Sequence, residues 1–238
     1  MAATGHTYVV EKKCPICEQM THVTKVRSRL LAETTDEDFC VHYKDFNPYL
    51  YNIWVCEHCG FAAAEKEFIK PMAARPKKKI KDFLDQRSVG FAFHEERGLP
   101  EAVASYKLAI YFSEMIDMSY AHCAGLYLRL GWVYRLAGDT EKEVPMLEKA
   151  AELYDQSVMT ERYPIGSMTD NMAIFLVGAI YYRTGNLEKA TQYLSRIMSD
   201  NNVRTMDPKV YERARDLWQD IRSRSDDESA AEPTETAE

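Results

Sequence analysis

Long apolar runs are missing from this 238-residue chain. No stretch approaches the ~18 apolar residues that a membrane-crossing helix needs. The segment from Met1 to Lys13 lacks the apolar core of a secretory signal. A cytoplasmic location is the expectation. A glycine-rich phosphate loop is missing too, as is any base paired with a nucleophile, so no enzymatic activity is expected. Global positive charge is also lacking, since 30 Lys+Arg face 37 Asp+Glu for a net charge of -7. Such a balance gives no overall attraction for nucleic acid. The imbalance is local: residues 1–100 carry 15 bases and 14 acids, and the remaining chain holds the whole acidic excess. Cysteine is nearly absent beyond residue 59, where Cys123 stands alone.

Before that point cysteine is concentrated. Cys14-Pro15-Ile16-Cys17 and Cys56-Glu57-His58-Cys59-Gly60 are two Cys-x-x-Cys pairs, each reached through a strand-like stretch. Each pair makes a tight turn that aims two thiolates at one point, and together they supply the four-thiolate set of structural zinc. Gly60 suits the left-handed backbone of such a turn. Disulfides or a redox pair are the alternatives, and a reducing compartment favours metal. Four sulfur ligands leave no open position, so one structural Zn2+ is expected on Cys14, Cys17, Cys56 and Cys59. The pairs are 38 residues apart, more than the ~15–20 of a compact ribbon. An inserted loop or hairpin, centred on Glu33 to Pro48, has to fill the gap.

Cys40 and His42 lie inside that insert, in Asp38-Phe39-Cys40-Val41-His42-Tyr43. Asp, Cys and His so close together suit a second metal or a reactive thiol. The plainer reading is a loop packed on the ribbon through Phe39 and Tyr43.

The periodicity turns helical after the basic run Arg75-Pro76-Lys77-Lys78-Lys79. The spacing predicts a ribbon-like domain over 1–70, a basic linker over 71–81, helical repeats with a capping helix over 82–223, and a disordered acidic tail over 224–238. Gly98, Gly138 and Gly185 mark turns between helices, and Thr140-x-x-Glu143 reads as a capping box. Val210, Ala214, Leu217 and Ile221 share one face of the last helix. The fold class is mostly α, with a small N-terminal β zinc ribbon.

The stretch Tyr127 to Gly138, continuing to Leu147 and Ala150, resembles the tetratricopeptide pattern of aromatic, Leu-Gly, Tyr, Gly and Ala. It departs at Glu143, where the pattern has Ala. A later copy holds Val177-Gly178, Tyr181, Gly185, Ala190 and Leu194; an earlier one holds Gly98, Ala102, Tyr106 and Ala109. In such repeats a small residue admits a close helix approach and a large one fills the hole beside it. The resemblance implies a groove lined by Leu128, Trp132 and Arg135, then by Met172, Phe175, Tyr182 and Arg183. Aromatics with two arginines suit an extended peptide bearing an acidic group. The competing reading packs these residues against neighbouring helices or the ribbon.

The sequence Lys13 to Cys17, the Asp38-Phe39-Cys40 stretch, Asn47-Pro48, and Tyr51-Asn52-Ile53-Trp54-Val55-Cys56 through Ala62 resemble the bacterial "domain of unknown function 2225" family. The resemblance implies a bacterial cytoplasmic protein and brings no activity with it. Function is expected to be that of a zinc-binding adaptor or scaffold with a protein or peptide partner. One alternative is a nucleic-acid-binding regulator using the ribbon and the basic run, against which stands a short run beside a neutral ribbon. The other is a thiol-based sensor or enzyme using Cys40. No feature of the sequence signals an oligomeric state.

Overall fold

The computed structural model describes residues 5–85, 93 and 96–231, with side chains through residue 224. It is mostly helical, with small antiparallel hairpins at the N-terminal end. The chain divides into two compact units, Met1–Ala150 and Ala151–Glu238.

The first unit opens with β1 (Thr7–Lys13) and β2 (Met20–Val26), paired from Thr7↔Val26 to Lys13↔Met20. β3 (Ala32–Thr35) pairs with β4 (Val41–Tyr43), and β5 (Ile53–Val55) with β6 (Ala62–Ala64). Each Cys-x-x-Cys pair is therefore the tip of a hairpin, and the hairpin β3–β4 fills the long spacing between them. A 3-10 turn, Pro48–Tyr51, precedes β5; Asn47 caps it by accepting from the Tyr49 N–H. Helices α1 (Glu65–Ile69), α2 (Ala74–Leu84), α3 (Leu99–Met115) and α4 (Tyr120–Leu136) follow.

The stretch read as a basic linker is mostly helix α2. Pro76 stands in its first turn, where a missing N–H costs little, and the lysines behind it are good helix formers. The lysines are engaged: Lys77 with Glu18, Lys78 with Asp82, and Lys79 with the Met115 carbonyl. On its other face Ile80 and Leu84 are buried.

Nor does a boundary separate ribbon from helices at this point. α3 packs on β5, β6 and the 3-10 turn, and α4 packs on α3 and the same turn. The Phe61 ring packs tilted against Phe112 of α3, with centroids 5.6 Å apart, and the Tyr49 ring against Trp132 of α4 at 5.1 Å. The buried Tyr106 hydroxyl of α3 donates to the Tyr49 carbonyl at 3.2 Å. These are core contacts, so the ribbon and the first helices share one hydrophobic interior. Arg97, just before α3, is 4 % exposed. Its guanidinium donates to the carbonyls of Phe93, Ile53 and Leu50, and burial lowers its pKa to about 10.

α5 (Thr140–Thr160) begins in the first unit and ends in the second. The sequence suggests a Thr140–Glu143 box, but the cap is Asp139, whose carboxylate accepts from the Lys142 N–H at 3.2 Å. The Glu143 side chain turns instead to Arg135.

The second unit holds α6 (Asp170–Arg183), α7 (Leu187–Ser199), α8 (Asn201–Met206) and α9 (Pro208–Ala231). α9 packs against α6 and α7, and its Val210, Ala214, Leu217 and Ile221 are all buried. The helix continues to Ala231, so part of the stretch read as an acidic tail is helical; residues 232–238 lie outside the described residues.

Two helix pairs interlock in the same way. A Cβ on Gly131 would lie 2.8 Å from Leu147 Cδ2, and one on Gly178 3.1 Å from Leu194 Cδ2. Gly185 has φ of 82° with open space around its Cα. Gly178→Leu should therefore destabilise the second unit by about 1–3 kcal/mol or more through overpacking. Gly185→Ala meets only left-handed strain of about 1 kcal/mol. Thermal denaturation compares them: a larger drop in midpoint for Gly185→Ala would refute the assigned close approach.

Candidate metal centre and the Arg135 network

The two knuckles have the same backbone. In the first, the Glu18 N–H donates to the Cys14 carbonyl at 3.0 Å and the Cys14 N–H to the Gln19 carbonyl at 2.9 Å. In the second, Gly60 donates to Cys56 at 2.9 Å and Cys56 to Phe61 at 2.8 Å. The residue four after each leading cysteine is left-handed, with φ of 64° at Glu18 and 79° at Gly60. The glycine is visible in the sequence. The glutamate is not, because a non-glycine residue carries no such mark.

The four sulfurs converge. Cys14, Cys17, Cys56 and Cys59 offer Sγ atoms all within 4.8 Å of one another. Cys14 Sγ lies 3.7 Å from Cys59 Sγ, and Cys17 Sγ 3.6 Å from Cys56 Sγ. A disulfide would need about 2.05 Å. A tetrahedral metal with ~2.3 Å bonds to sulfur sets its ligands about 3.8 Å apart, so the cluster fits such an ion. Protons alone hold four sulfurs poorly. Cys14 is pushed up to about 12 by its hydrogen bond to Cys56, Cys59 is pushed higher still by Cys14, and Cys56 is pushed down by the thiol of Cys14. One thiolate thus forms at the expense of its neighbours, whereas a divalent cation stabilises all four.

Side chains stitch the knuckles together beyond the sulfurs. The Glu57 N–H donates to the buried Thr21 hydroxyl at 3.0 Å, and the Glu57 carboxylate accepts from the His22 N–H. His58 donates from Nε2 to the Met20 carbonyl at 2.8 Å, which fixes its tautomer and turns it toward β2 rather than into the ligand set.

The second feature centres on Arg135, on the last turn of α4. Its Nη1 and Nη2 make a fork on Asp38 Oδ1 and Oδ2 at 2.9 and 2.7 Å. Nη1 also reaches Asp36 at 2.6 Å, and Nε reaches Glu143 at 2.7 Å. Trp132 Nε1 donates to Asp38 at 2.9 Å. The side chains of Arg135, Asp38 and Glu143 are 5, 0 and 4 % exposed. Burial works against the guanidinium charge, but Asp38 and Glu143 outweigh it and raise its pKa further. Burial also opposes the Asp36 carboxylate, yet hydrogen bonds from His42 and Arg135 hold it below its ordinary value.

This network corrects the groove reading. Leu128 and Trp132 are buried in the first unit, as is the side chain of Arg135, and Trp132 and Arg135 bind acids of the insert. They cannot line an open channel. In the second unit Phe175 is 1 % exposed and Met172 half-buried. The Tyr182 hydroxyl is bound to Asp220 and Arg224 of α9. Arg183 alone of the seven is exposed. Glu143, which breaks the tetratricopeptide pattern, was the available signal: an acid at a helix-packing position needs a buried base, and Arg135 stands eight residues earlier, at the end of the preceding helix. Asp36, Cys40 and His42 come together as a second cluster beside it.

A model of a bacterial family, described as "Uncharacterized protein conserved in bacteria", matches residues 8–221. The chain belongs to this domain of unknown function 2225 family. It is 26 % identical over 251 residues to an "Uncharacterized protein" of Borreliella burgdorferi, covering 86 % of this chain and 87 % of that protein. No solved structure matches. The matched span takes in both knuckles, the insert and the helices of both units up to residue 221 in α9. Among the described residues no helix is long and apolar enough to cross a membrane.

Proposed function

We propose that this protein is a cytoplasmic scaffold: a zinc-stapled unit and a helical unit of tetratricopeptide type, each presenting a surface to a protein partner, without catalysis. The observation that carries the reading is the closed set of four thiolates in the wall of a shared core. A metal held by Cys14, Cys17, Cys56 and Cys59 has no position left for water or substrate, so it shapes a surface instead of supplying chemistry. Zinc suits the set because it is at ease with four sulfurs in a tetrahedron. The interlocked pairs Gly131–Leu147 and Gly178–Leu194 support a repeat architecture, since the same device recurs at the same spacing. Unlike the arrangement expected from sequence, the partner surface is not the face of α4 that carries Trp132 and Arg135, because that face is buried.

The nucleic-acid reading has less support. Lys77, Lys78 and Lys79 of the basic run are bound within the protein, and an interaction with phosphates would have to replace those contacts.

The scaffold reading is tested by crosslinking in the native cell followed by reciprocal capture. One protein should be recovered in fixed ratio with the wild-type chain and lost with Cys56→Ser. Equal recovery with both chains, or recovery of nucleic acid that salt disperses, would overturn it.

A further inference from the structure

We infer that Asp36, Cys40 and His42 form a second metal site, distinct from the four-cysteine centre and open at one coordination position. Their ligand atoms all lie within 4.8 Å of one another. The ligand class is a thiophilic divalent d-block ion such as Zn2+ or Co2+. A soft thiolate, an imidazole and a hard carboxylate together suit such an ion and do not suit Mg2+ or Ca2+.

The hairpin β3–β4 explains how three residues spread over seven positions meet. Its register pairs Thr34 with His42 and Thr35 with Val41. The Asp36 N–H donates to the Cys40 carbonyl at 2.8 Å, which carries the pairing one step further and sets Asp36 opposite Cys40. Residues opposite one another across a ladder share a face, and so do i and i+2 along a strand. Asp36, Cys40 and His42 therefore point the same way. Phe39, with φ of 69° and its N–H on the Asp36 carbonyl at 3.1 Å, makes the tight reversal that this pairing requires.

The spacing already approaches that of a ligand set. His42 Nε2 lies 3.0 Å from both Asp36 oxygens. Neighbouring corners of a zinc tetrahedron with N and O ligands are about 3.3 Å apart, given bonds of ~2.0–2.1 Å. A metal between them would replace that hydrogen bond and draw in the Cys40 sulfur. The outer partners of such a site are in place. Arg135 holds Asp36 Oδ2 at 2.6 Å, and Asp38 accepts the Cys40 N–H at 3.4 Å. Outer partners of this kind fix the orientation of metal ligands. The guanidinium does not forbid a cation, because the Asp38 fork and Glu143 already face its charge.

Access comes from one side. Cys40 is wholly buried, but the side chains of His42 and Asp36 are 34 and 19 % exposed, so an ion and a water molecule can enter along the imidazole edge. Three protein ligands then leave the fourth position to solvent or to a small anionic ligand. That is the arrangement of sites whose fourth ligand exchanges, rather than of closed ones.

The test uses the full chain with the metal it carries when purified from cells in its four-cysteine centre. After dialysis against metal-free buffer, Co2+ is titrated in. The expected result is one further equivalent with a charge-transfer band of a single thiolate. The band should vanish in Cys40→Ser. In His42→Gln the affinity should fall by more than about 100-fold, beyond the ~10–100-fold typical of losing an outer partner. Circular dichroism checks that each variant is folded; if Cys40→Ser is not, the half-exposed His42→Gln decides alone. Absence of a further equivalent overturns the site. So does a further equivalent that folded variants of both residues leave intact, or one that depends on Cys40 and not on His42.

Discussion

Cys56→Ser, or stripping the metal with a strong chelator, should unfold most of residues 1–150 and leave the helices of residues 151–238 in place. The reason is a comparison of magnitudes. Apparent binding energies for structural zinc reach about 10–16 kcal/mol in small zinc-dependent folds. The whole net stability of a domain is about 5–15 kcal/mol. Removing the first from a unit that depends on it leaves little or nothing. Sequence reasoning would confine the damage to a ribbon of about 70 residues, with most of the helix signal surviving. The shared interior argues otherwise. Phe61 follows the second knuckle directly and packs on Phe112 of α3; Tyr49 carries Trp132 of α4 and accepts from Tyr106 of α3. Loss of the knuckles removes one wall from these contacts, and α3 and α4 cannot keep their buried faces wet. Far-ultraviolet circular dichroism should therefore lose the signal of α2, α3 and α4, while a separate thermal transition persists from the second unit. Chelated protein with unchanged helix content and an unchanged first transition would show that the four thiols need no metal.

What the sequence reveals and what it hides follows from distance along the chain. A Cys-x-x-Cys turn is local, and two copies announce one centre however far apart they stand. The turns at Gly138 and Gly185 and the buried stripe of α9 are local signals as well. Helical periodicity is different, because it marks a buried face without naming what buries it. Trp132 and Arg135 lie on the face that lines a groove in an open repeat array. Here the covering element is the β3–β4 insert, whose Asp38 lies 97 residues before Arg135. Nothing near either residue records the other. The basic run illustrates the same limit: Arg75 to Lys81 has the composition of a linker, yet the buried Ile80 and the acceptor carbonyl of Met115 give it a place as a helix. Arg97 left no sequence signal, since its partners are backbone carbonyls, which every residue has.

Arg135→Leu should cost the first unit about 3–5 kcal/mol. That is the usual penalty for removing one side of a buried ion pair and stranding the other. Asp38 is the decisive partner, because its carboxylate is fully buried and takes both prongs of the guanidinium fork. Leucine fills part of the volume but donates nothing, so Asp38 keeps the Trp132 N–H and the Cys40 N–H and loses its charge-matched bonds. Arg135→Lys should fall between the two, since it restores charge without the planar fork. Asp38→Asn combined with Arg135→Leu should be less harmful than the sum of the single changes, because an amide no longer strands a charge. Urea denaturation, followed on the transition of residues 1–150, measures all four proteins. A peptide-groove role would give the opposite pattern, with little stability lost and a partner released. If Arg135→Leu unfolds at the wild-type midpoint and the double variant is simply additive, then the guanidinium is not what fastens α4 to the insert.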